Sequence, residues 1–207
     1  MMRIEVFSDI ACPFCYIGEK RLERALELRG YTDVQRIWRP FQLQPQLPKS
    51  GVPWKQFALQ KFGGMAQMKA AFAQVVHVAE GEGIAFDLEN IYSAANTADA
   101  HHLVLFAQEY NRHTQMALTL FKAYFSDGRN LNDQSTLLEL AAMAGVPEGA
   151  QAMLSSQRFQ EEVRQSQIQA EQLGVGGVPF YIFNQRFGVS GAQPLEVFVQ
   201  ALDKAAL

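Results

Sequence analysis

The chain has 207 residues, of which 48% are apolar, and a formal net charge of −3 at pH 7. This length and apolar content suffice for one domain, or one domain with a large insertion, around a sizeable core. The charge and the lack of a basic run argue against nucleic-acid binding, and no apolar stretch approaches the roughly 20 residues of a membrane helix. Because the N-terminus passes into a strand pattern without the apolar core of a signal peptide, the sequence predicts a cytoplasmic protein.

Two cysteines stand three positions apart near the N-terminus. The apolar run from Ile4 to Phe7 is typical of a strand, and a helical pattern runs from Pro13 to about Arg29. Cys12 and Cys15 are therefore predicted at the start of a helix, beyond the carboxyl end of a strand. Unpaired backbone N–H groups and the helix dipole stabilise a thiolate in that position, so we expect Cys12 to ionise more readily than a free cysteine.

The predicted first helix is amphipathic, with Cys15 at the head of its apolar face. The apolar positions that share this face recur at three- and four-residue steps: Gly18, Leu22, Ala25 and Leu26. The charged residues are assigned to the opposite face: Glu19, Lys20, Glu23, Arg24 and Glu27. The pattern predicts that Cys12 lies at an exposed tip, where it can attack, and that Cys15 is buried behind it as the resolving thiol.

Further elements follow in chain order. A second strand is predicted over 34–43, with Pro40 at a sheet edge or outside the hydrogen-bonded ladder, so the first three elements form a parallel βαβ unit. Helices are predicted over 54–62, 65–80, 97–111, 114–125, 133–144 and 156–173, with Asp133 as an N-cap and only a short extended piece at 84–86. A hairpin over 180–190 and a last helix opened by Pro194 complete the chain.

A β-α-β…β-β-α order with Cys-x-x-Cys at the first helix resembles the thioredoxin fold, and the helical insertion resembles its DsbA-like subset. The segments that resemble the FrnE-type branch of DsbA-family oxidoreductases are Phe7-Ser8-Asp9 before Cys12-Pro13-Phe14-Cys15, Arg39–Pro45, Asn96-Thr97 with Ala100-His101, and Gly174–Phe180. The resemblance implies an α/β fold with a thioredoxin-like domain over 1–45 and 174–207. Residues 46–173 would form an all-helical insertion between the second strand and the C-terminal hairpin.

The same resemblance implies a disulfide oxidoreductase with Cys12 and Cys15 as its redox pair. The proline that opens the third strand of such proteins follows a cis peptide and faces the cysteines, a role that falls on Pro179. Three glycines in the four residues before Val178 permit the unusual backbone angles of such a loop. The remaining predicted substrate contacts are Pro13, Phe14, Val178 and His101.

Other interpretations of these residues stay open. His101 either caps the active-site cleft, where it would face the Cys12 thiolate, or is a structural histidine, and Asp9 either accepts a proton from Cys15 or shapes the turn. A structural zinc site needs four ligands, and no histidine stands at a recognised spacing from the cysteines, so no metal is predicted.

The expected partners are protein or small-molecule thiols and disulfides, with neither nucleic acid nor a membrane, in a monomer or a homodimer. No cofactor is predicted, although glutathione remains open as a co-substrate. The alternative function is that of a glutathione-dependent isomerase or transferase of the 2-hydroxychromene-2-carboxylate isomerase or kappa-class type. Members of that group usually carry a serine at the position of Cys12, which argues against it. A chaperone or adaptor that uses the helices as an apolar surface is the non-enzymatic alternative.

Overall fold

The structure, a computed structural model, describes residues 2–207. It divides into two compact units: the first comprises residues 2–43 and Glu161–Leu207, and the second comprises Gln44–Gln160. The strands are β1 (Met2–Ser8), β2 (Val34–Pro40), β3 (Val52–Pro53), β4 (Ser93–Ala94), β5 (Phe180–Phe183) and β6 (Phe187–Ser190). The helices are α1 (Pro13–Leu28), α2 (Trp54–Phe62), α3 (Met65–Glu80), α4 (Ala98–Gln108), α5 (His113–Phe125), α6 (Gln134–Met143), α7 (Ala150–Leu154), α8 (Gln160–Gln172) and α9 (Leu195–Ala205). None of the helices described is long and apolar enough to cross a membrane.

The first unit is built on a four-stranded sheet in the order β2-β1-β5-β6. Strands β1 and β2 are parallel, and β5 is antiparallel to both β1 and β6. These pairings confirm the predicted βαβ unit and the C-terminal hairpin. Strand β2 lies at the sheet edge and ends at Pro40, three residues earlier than predicted, since the proline cannot donate a further ladder hydrogen bond. The topology is that of the predicted α/β, thioredoxin-like fold.

Alternating side chains of β1 fill two apolar clusters, one on each face of this sheet. Ile4 and Val6 pack with side chains of α1, β5 and α9, while Phe7 packs on the other face with Ala170 of α8. Most of α8 therefore belongs to the first unit, although its sequence was assigned to the insertion. Its start at Gln160 rather than Ser156 is a smaller difference.

Helix α1 confirms the predicted apolar face with one correction. Its residues Cys15, Gly18, Leu22, Ala25 and Leu26 are all buried, but so is Glu19, which had been assigned to the charged face. Glu19 follows Cys15 by four residues and therefore shares its side of the helix. It can be buried because its carboxylate pairs with the guanidinium of Arg36 on β2.

The second unit is mainly helical. Helix α4 is buried along nearly its whole length, from Ala100 to Ala107, as expected of a central core helix. Asp133 caps α6 as predicted, because its side chain accepts a hydrogen bond from the Thr136 N–H at 2.9 Å.

Three details of the second unit correct the all-helical prediction. Strands β3 and β4 form a small antiparallel pair, and α7 was not predicted at all. The piece at 84–86, predicted to be extended, is not assigned to a strand. Segments of two to five residues are too short to show a helical or an alternating hydrophobic pattern.

Candidate active site

The cysteine pair lies where β1 gives way to α1. The Cys12 N–H donates to the Asp9 carbonyl at 3.1 Å, which turns the chain after the strand. Cys12 is the N-cap residue of α1, with extended backbone angles, and Pro13 is the first residue of the helix. The Cys15 N–H donates to the Cys12 carbonyl at 3.0 Å, so both cysteines stand on the first turn, as predicted.

Cys12 is less accessible than the sequence predicts. Its side chain was expected at an exposed tip, but the residue is only 5% exposed. The Cys12 thiol donates to the carbonyl oxygen of Val178, with a sulfur–oxygen distance of 3.5 Å, and the loop before β5 therefore covers it. Phe14, which lies between the two cysteines, is 39% exposed. Between Cys12 and Cys15, the apolar ring of Phe14 is thus the side chain that a substrate can reach.

Cys15 is buried behind Cys12, as predicted, and is 1% exposed. Its sulfur accepts a hydrogen bond from the Asp9 N–H at 3.5 Å. Burial raises the pKa of the Cys15 thiol well above its usual value, and the hydrogen bond with Cys12 and the charge of Cys12 raise it further. Hydrogen bonds from Ser8 and from the Asp9 backbone act in the opposite direction but are weaker. Cys15 is therefore protonated at neutral pH.

Asp9 has the contacts of a residue that shapes the turn. One carboxylate oxygen accepts a hydrogen bond from the Leu43 N–H at 2.7 Å, and the other accepts from the Ala11 N–H at 3.3 Å. The residue is 1% exposed. These bonds tie the cysteine loop to the chain that leaves β2, which favours the structural interpretation of Asp9 over that of a proton acceptor.

The loop before β5 carries a cis peptide between Val178 and Pro179, the geometry that the family resemblance implied. The carbonyl oxygen of Pro179 accepts a hydrogen bond from the Gly191 N–H at 2.8 Å, which holds the loop to the end of the hairpin. The structure thus brings Cys12, Cys15, Val178 and Pro179 together at one end of α1.

The sequence did not reveal how closely α1 approaches this loop. A Cβ atom at Gly18 would overlap the hydroxyl of Tyr181 and would lie 3.2 Å from Cγ of Pro179. Gly18 was predicted to be buried, but a periodicity argument does not show that only a hydrogen fits there. Tyr181 had been treated only as a strand residue, although its position two residues after Pro179 places it on the same side of β5.

His101 is not part of the first unit. It lies on α4 of the second unit, where its side chain is wholly buried. Its role as a substrate contact stays a prediction. In the part of the chain that the structure describes, no three or more His, Cys, Asp and Glu residues form a group that could hold a metal ion.

Known proteins share this architecture over nearly the whole chain. The probable DsbA oxidoreductase of Streptomyces coelicolor is 37% identical, with a TM-score of 0.91 over 100% of this chain and 90% of that chain. The YwbO protein of Bacillus subtilis (strain 168) is 29% identical over 208 residues, which cover 97% of this chain and 96% of that protein. The cytosolic disulfide reductase DsbM of Pseudomonas aeruginosa, in a structure with GSH, has the same fold at 19% identity, with a TM-score of 0.69 over 99% and 96% of the two chains.

A family model described as the DSBA-like thioredoxin domain matches residues 3–203, whereas the assignment to the FrnE-type branch within that family stays a prediction. The chain therefore belongs to the family of DSBA-like thioredoxin domains, a family of thiol–disulfide oxidoreductases.

Proposed function

We propose that the chain is a thiol–disulfide oxidoreductase in which Cys12 attacks and Cys15 resolves. The observation that carries this proposal is the placement of the two thiols. Cys12 stands at the N-terminus of α1 against the Val178 carbonyl, while Cys15, three residues further along the helix, is buried and has a raised pKa. The helix N-terminus stabilises negative charge on the outer sulfur, and burial keeps the inner thiol neutral until it is needed.

The chemistry follows two exchange steps. The Cys12 thiolate attacks one sulfur of a substrate disulfide, and the other substrate sulfur leaves as a thiolate. Cys15 then loses its proton to solvent and attacks Cys12 Sγ, which forms the Cys12–Cys15 disulfide and releases the second substrate thiolate. Two electrons have passed from the cysteine pair to the substrate. The same steps in reverse oxidise a substrate dithiol.

Substrates are proposed to be proteins or small molecules with thiols or disulfides, in contact with Pro13, Phe14 and Val178. Phe14 offers an exposed apolar ring beside the reacting sulfur. The backbone at Val178 lies next to Cys12, so an extended substrate could pair with it as an added strand. Glutathione is proposed as one such small-molecule partner. A cytoplasmic location is also proposed from the sequence, and cell fractionation would test it.

The direct test is equilibration of the full chain in buffers of defined reduced-to-oxidised glutathione ratio. Alkylation of the remaining thiols and intact mass measurement would follow the fraction of Cys12–Cys15 disulfide. We expect one reversible two-electron transition, together with turnover in insulin reduction. Saturable glutathione binding without this transition would contradict the proposal and favour the isomerase or transferase alternative.

The resolving step should depend steeply on pH. Since burial and Cys12 raise the pKa of Cys15, its thiolate fraction, and hence the rate of resolution, should rise about tenfold for each pH unit below that pKa. The reaction with 5,5′-dithiobis(2-nitrobenzoate) measures this, because Cys12 releases one nitrothiobenzoate on attack and Cys15 releases a second on resolution. The Cys15→Ser variant is the control and should lack the second phase. A second phase that is independent of pH between 6 and 9 would contradict the prediction.

A further inference from the structure

Tyr181 is a wholly buried polar residue that the proposed chemistry has not used. It lies on β5, two residues after Pro179, and is 0% exposed. Its ring packs edge to face against Phe198 of α9, with centroids 4.9 Å apart at 89°. Its hydroxyl lies against Gly18 of α1, less than one helical turn beyond Cys15. The aromatic body is therefore in the apolar core, while the polar tip reaches the active-site helix.

The Tyr181 hydroxyl accepts and donates no hydrogen bond among the residues that the structure describes. An unsatisfied buried hydroxyl destabilises a fold, and such groups in native proteins call for a specific explanation. A phenylalanine would fill the same apolar site without this penalty. The hydroxyl is therefore better explained by a hydrogen bond that it makes in another state of the active site.

The charged groups around Tyr181 identify that state. Burial raises the pKa of Tyr181 well above its usual value, and a negative charge on Cys15 raises it further, with a smaller effect of Cys12. The cations of Arg36 and Arg21 act in the opposite direction. Tyr181 therefore remains protonated across the working pH range and can donate a hydrogen bond to a nearby anion.

The acidic side chains near Cys15 are engaged elsewhere. Glu19 pairs with Arg36, and burial lowers the pKa of Arg36 only to about 10, so the guanidinium stays charged at neutral pH. Both carboxylate oxygens of Asp9 accept backbone hydrogen bonds. Ser8 and the Asp9 N–H already donate hydrogen bonds to Cys15. The Tyr181 hydroxyl, which lies against Gly18 three residues after Cys15 and has no partner among the described residues, is a further neutral donor for the charge that forms when Cys15 ionises.

We propose that Tyr181 is a positioning residue for the resolving step, whose hydroxyl donates a hydrogen bond to the Cys15 sulfur as it becomes a thiolate. The inference rests on the proposed function and deepens it. The step itself is unchanged: Cys15 loses its proton to solvent, and its thiolate forms a bond with Cys12 Sγ. The bond between Cys12 Sγ and the substrate sulfur breaks, and the substrate leaves as a thiolate with the electron pair. Tyr181 keeps its own proton throughout and stabilises the charge that precedes attack.

The test is Tyr181→Phe, which removes only the hydroxyl, in the two-phase reaction with 5,5′-dithiobis(2-nitrobenzoate). We expect the pH midpoint of the second phase to rise by about one unit, the difference produced by one hydrogen bond to a charged group. Below the midpoint the second phase should slow about threefold, because the tenfold loss of thiolate is partly offset by its greater nucleophilicity. The first phase, which reports Cys12, should not change.

Tyr124→Phe is the matched control. Tyr124 is a buried tyrosine of the second unit whose hydroxyl accepts from the Ala95 N–H at 3.3 Å and donates to the Ser93 carbonyl at 3.0 Å. Its loss should lower the melting temperature and leave both phases unchanged. Tyr181→Phe should melt at the same temperature as the parent or higher, because it removes an unsatisfied group.

The two proposals fail in different ways. A folded Tyr181→Phe variant with the parent's pH midpoint would overturn the role of Tyr181 and leave the redox pair intact. Absence of any second phase in the parent chain would instead overturn the proposed function, and the inference with it.

Discussion

Cys12→Ser is expected to abolish turnover, whereas Cys15→Ser is expected to stop after one step. The Cys12 sulfur lies at the N-terminus of α1 against Val178. A serine hydroxyl in the same place is too weak an acid to form the anion that would attack a disulfide. The expected loss in insulin reduction is on the order of a thousandfold or more, as for other nucleophile deletions. Without Cys15 the attack still occurs, but the mixed disulfide has no intramolecular thiol to resolve it.

Intact mass measurement separates the two variants. Incubation with oxidised glutathione should leave one glutathione on Cys15→Ser, removable by reductant, and none on Cys12→Ser. The double variant Cys12→Ser/Cys15→Ser is the control for any activity that does not use the thiols. Full activity of the double variant would contradict the enzyme proposal and support the chaperone or adaptor alternative.

The position of the cysteine pair could be predicted because its signals are local. An apolar strand, Pro13 at a helix start and a three-residue cysteine spacing all fall within a short stretch, so helix geometry alone separates Cys12 from Cys15. The proline loop was predicted by resemblance, and the cis peptide before Pro179 confirms it. The βαβ unit and the hairpin followed from pattern and chain order.

The contacts between distant segments could not be predicted in this way. Periodicity assigned Glu19 to the charged face because it cannot show that Arg36 on β2 lies opposite. The exposure expected for Cys12 was wrong because the covering loop comes from the other end of the chain. The unpaired hydroxyl of Tyr181 likewise depends on how β5 packs against α1, which one-dimensional patterns do not contain.

Gly18→Ala should test that packing through both stability and activity. In a helix interior, glycine to alanine normally stabilises by about 0.8–1 kcal/mol. At Gly18 the new methyl group would overlap the Tyr181 hydroxyl and lie 3.2 Å from Pro179 Cγ, inside a packed core. Overpacking of this kind typically costs about 1–3 kcal/mol, so the expected sign is destabilising. Because Pro179 adjoins Val178, a shift of the loop should also slow the attack by Cys12.

Chemical unfolding and insulin reduction on the same variant measure the two effects. Gly81→Ala is the matched control, because Gly81 at the end of α3 has helical backbone angles (φ −62°, ψ −20°) and a Cβ placed there would meet only the Val78 carbonyl oxygen, at 3.4 Å. Its stability and turnover should stay close to those of the parent. The double variant Gly18→Ala/Tyr181→Phe should recover part of the lost stability, since it removes the atom that the methyl group meets first.

The sign of the Gly18→Ala effect decides between two accounts of α1. If the helix could move away from β5 at little cost, the variant would gain stability from alanine's helix propensity and keep its turnover. If the cysteine pair depends on α1 being held against Tyr181 and Pro179, both stability and turnover fall together. A stable and fully active Gly18→Ala variant would therefore contradict the close approach of α1 to the proline loop as the feature that holds Cys12 in place.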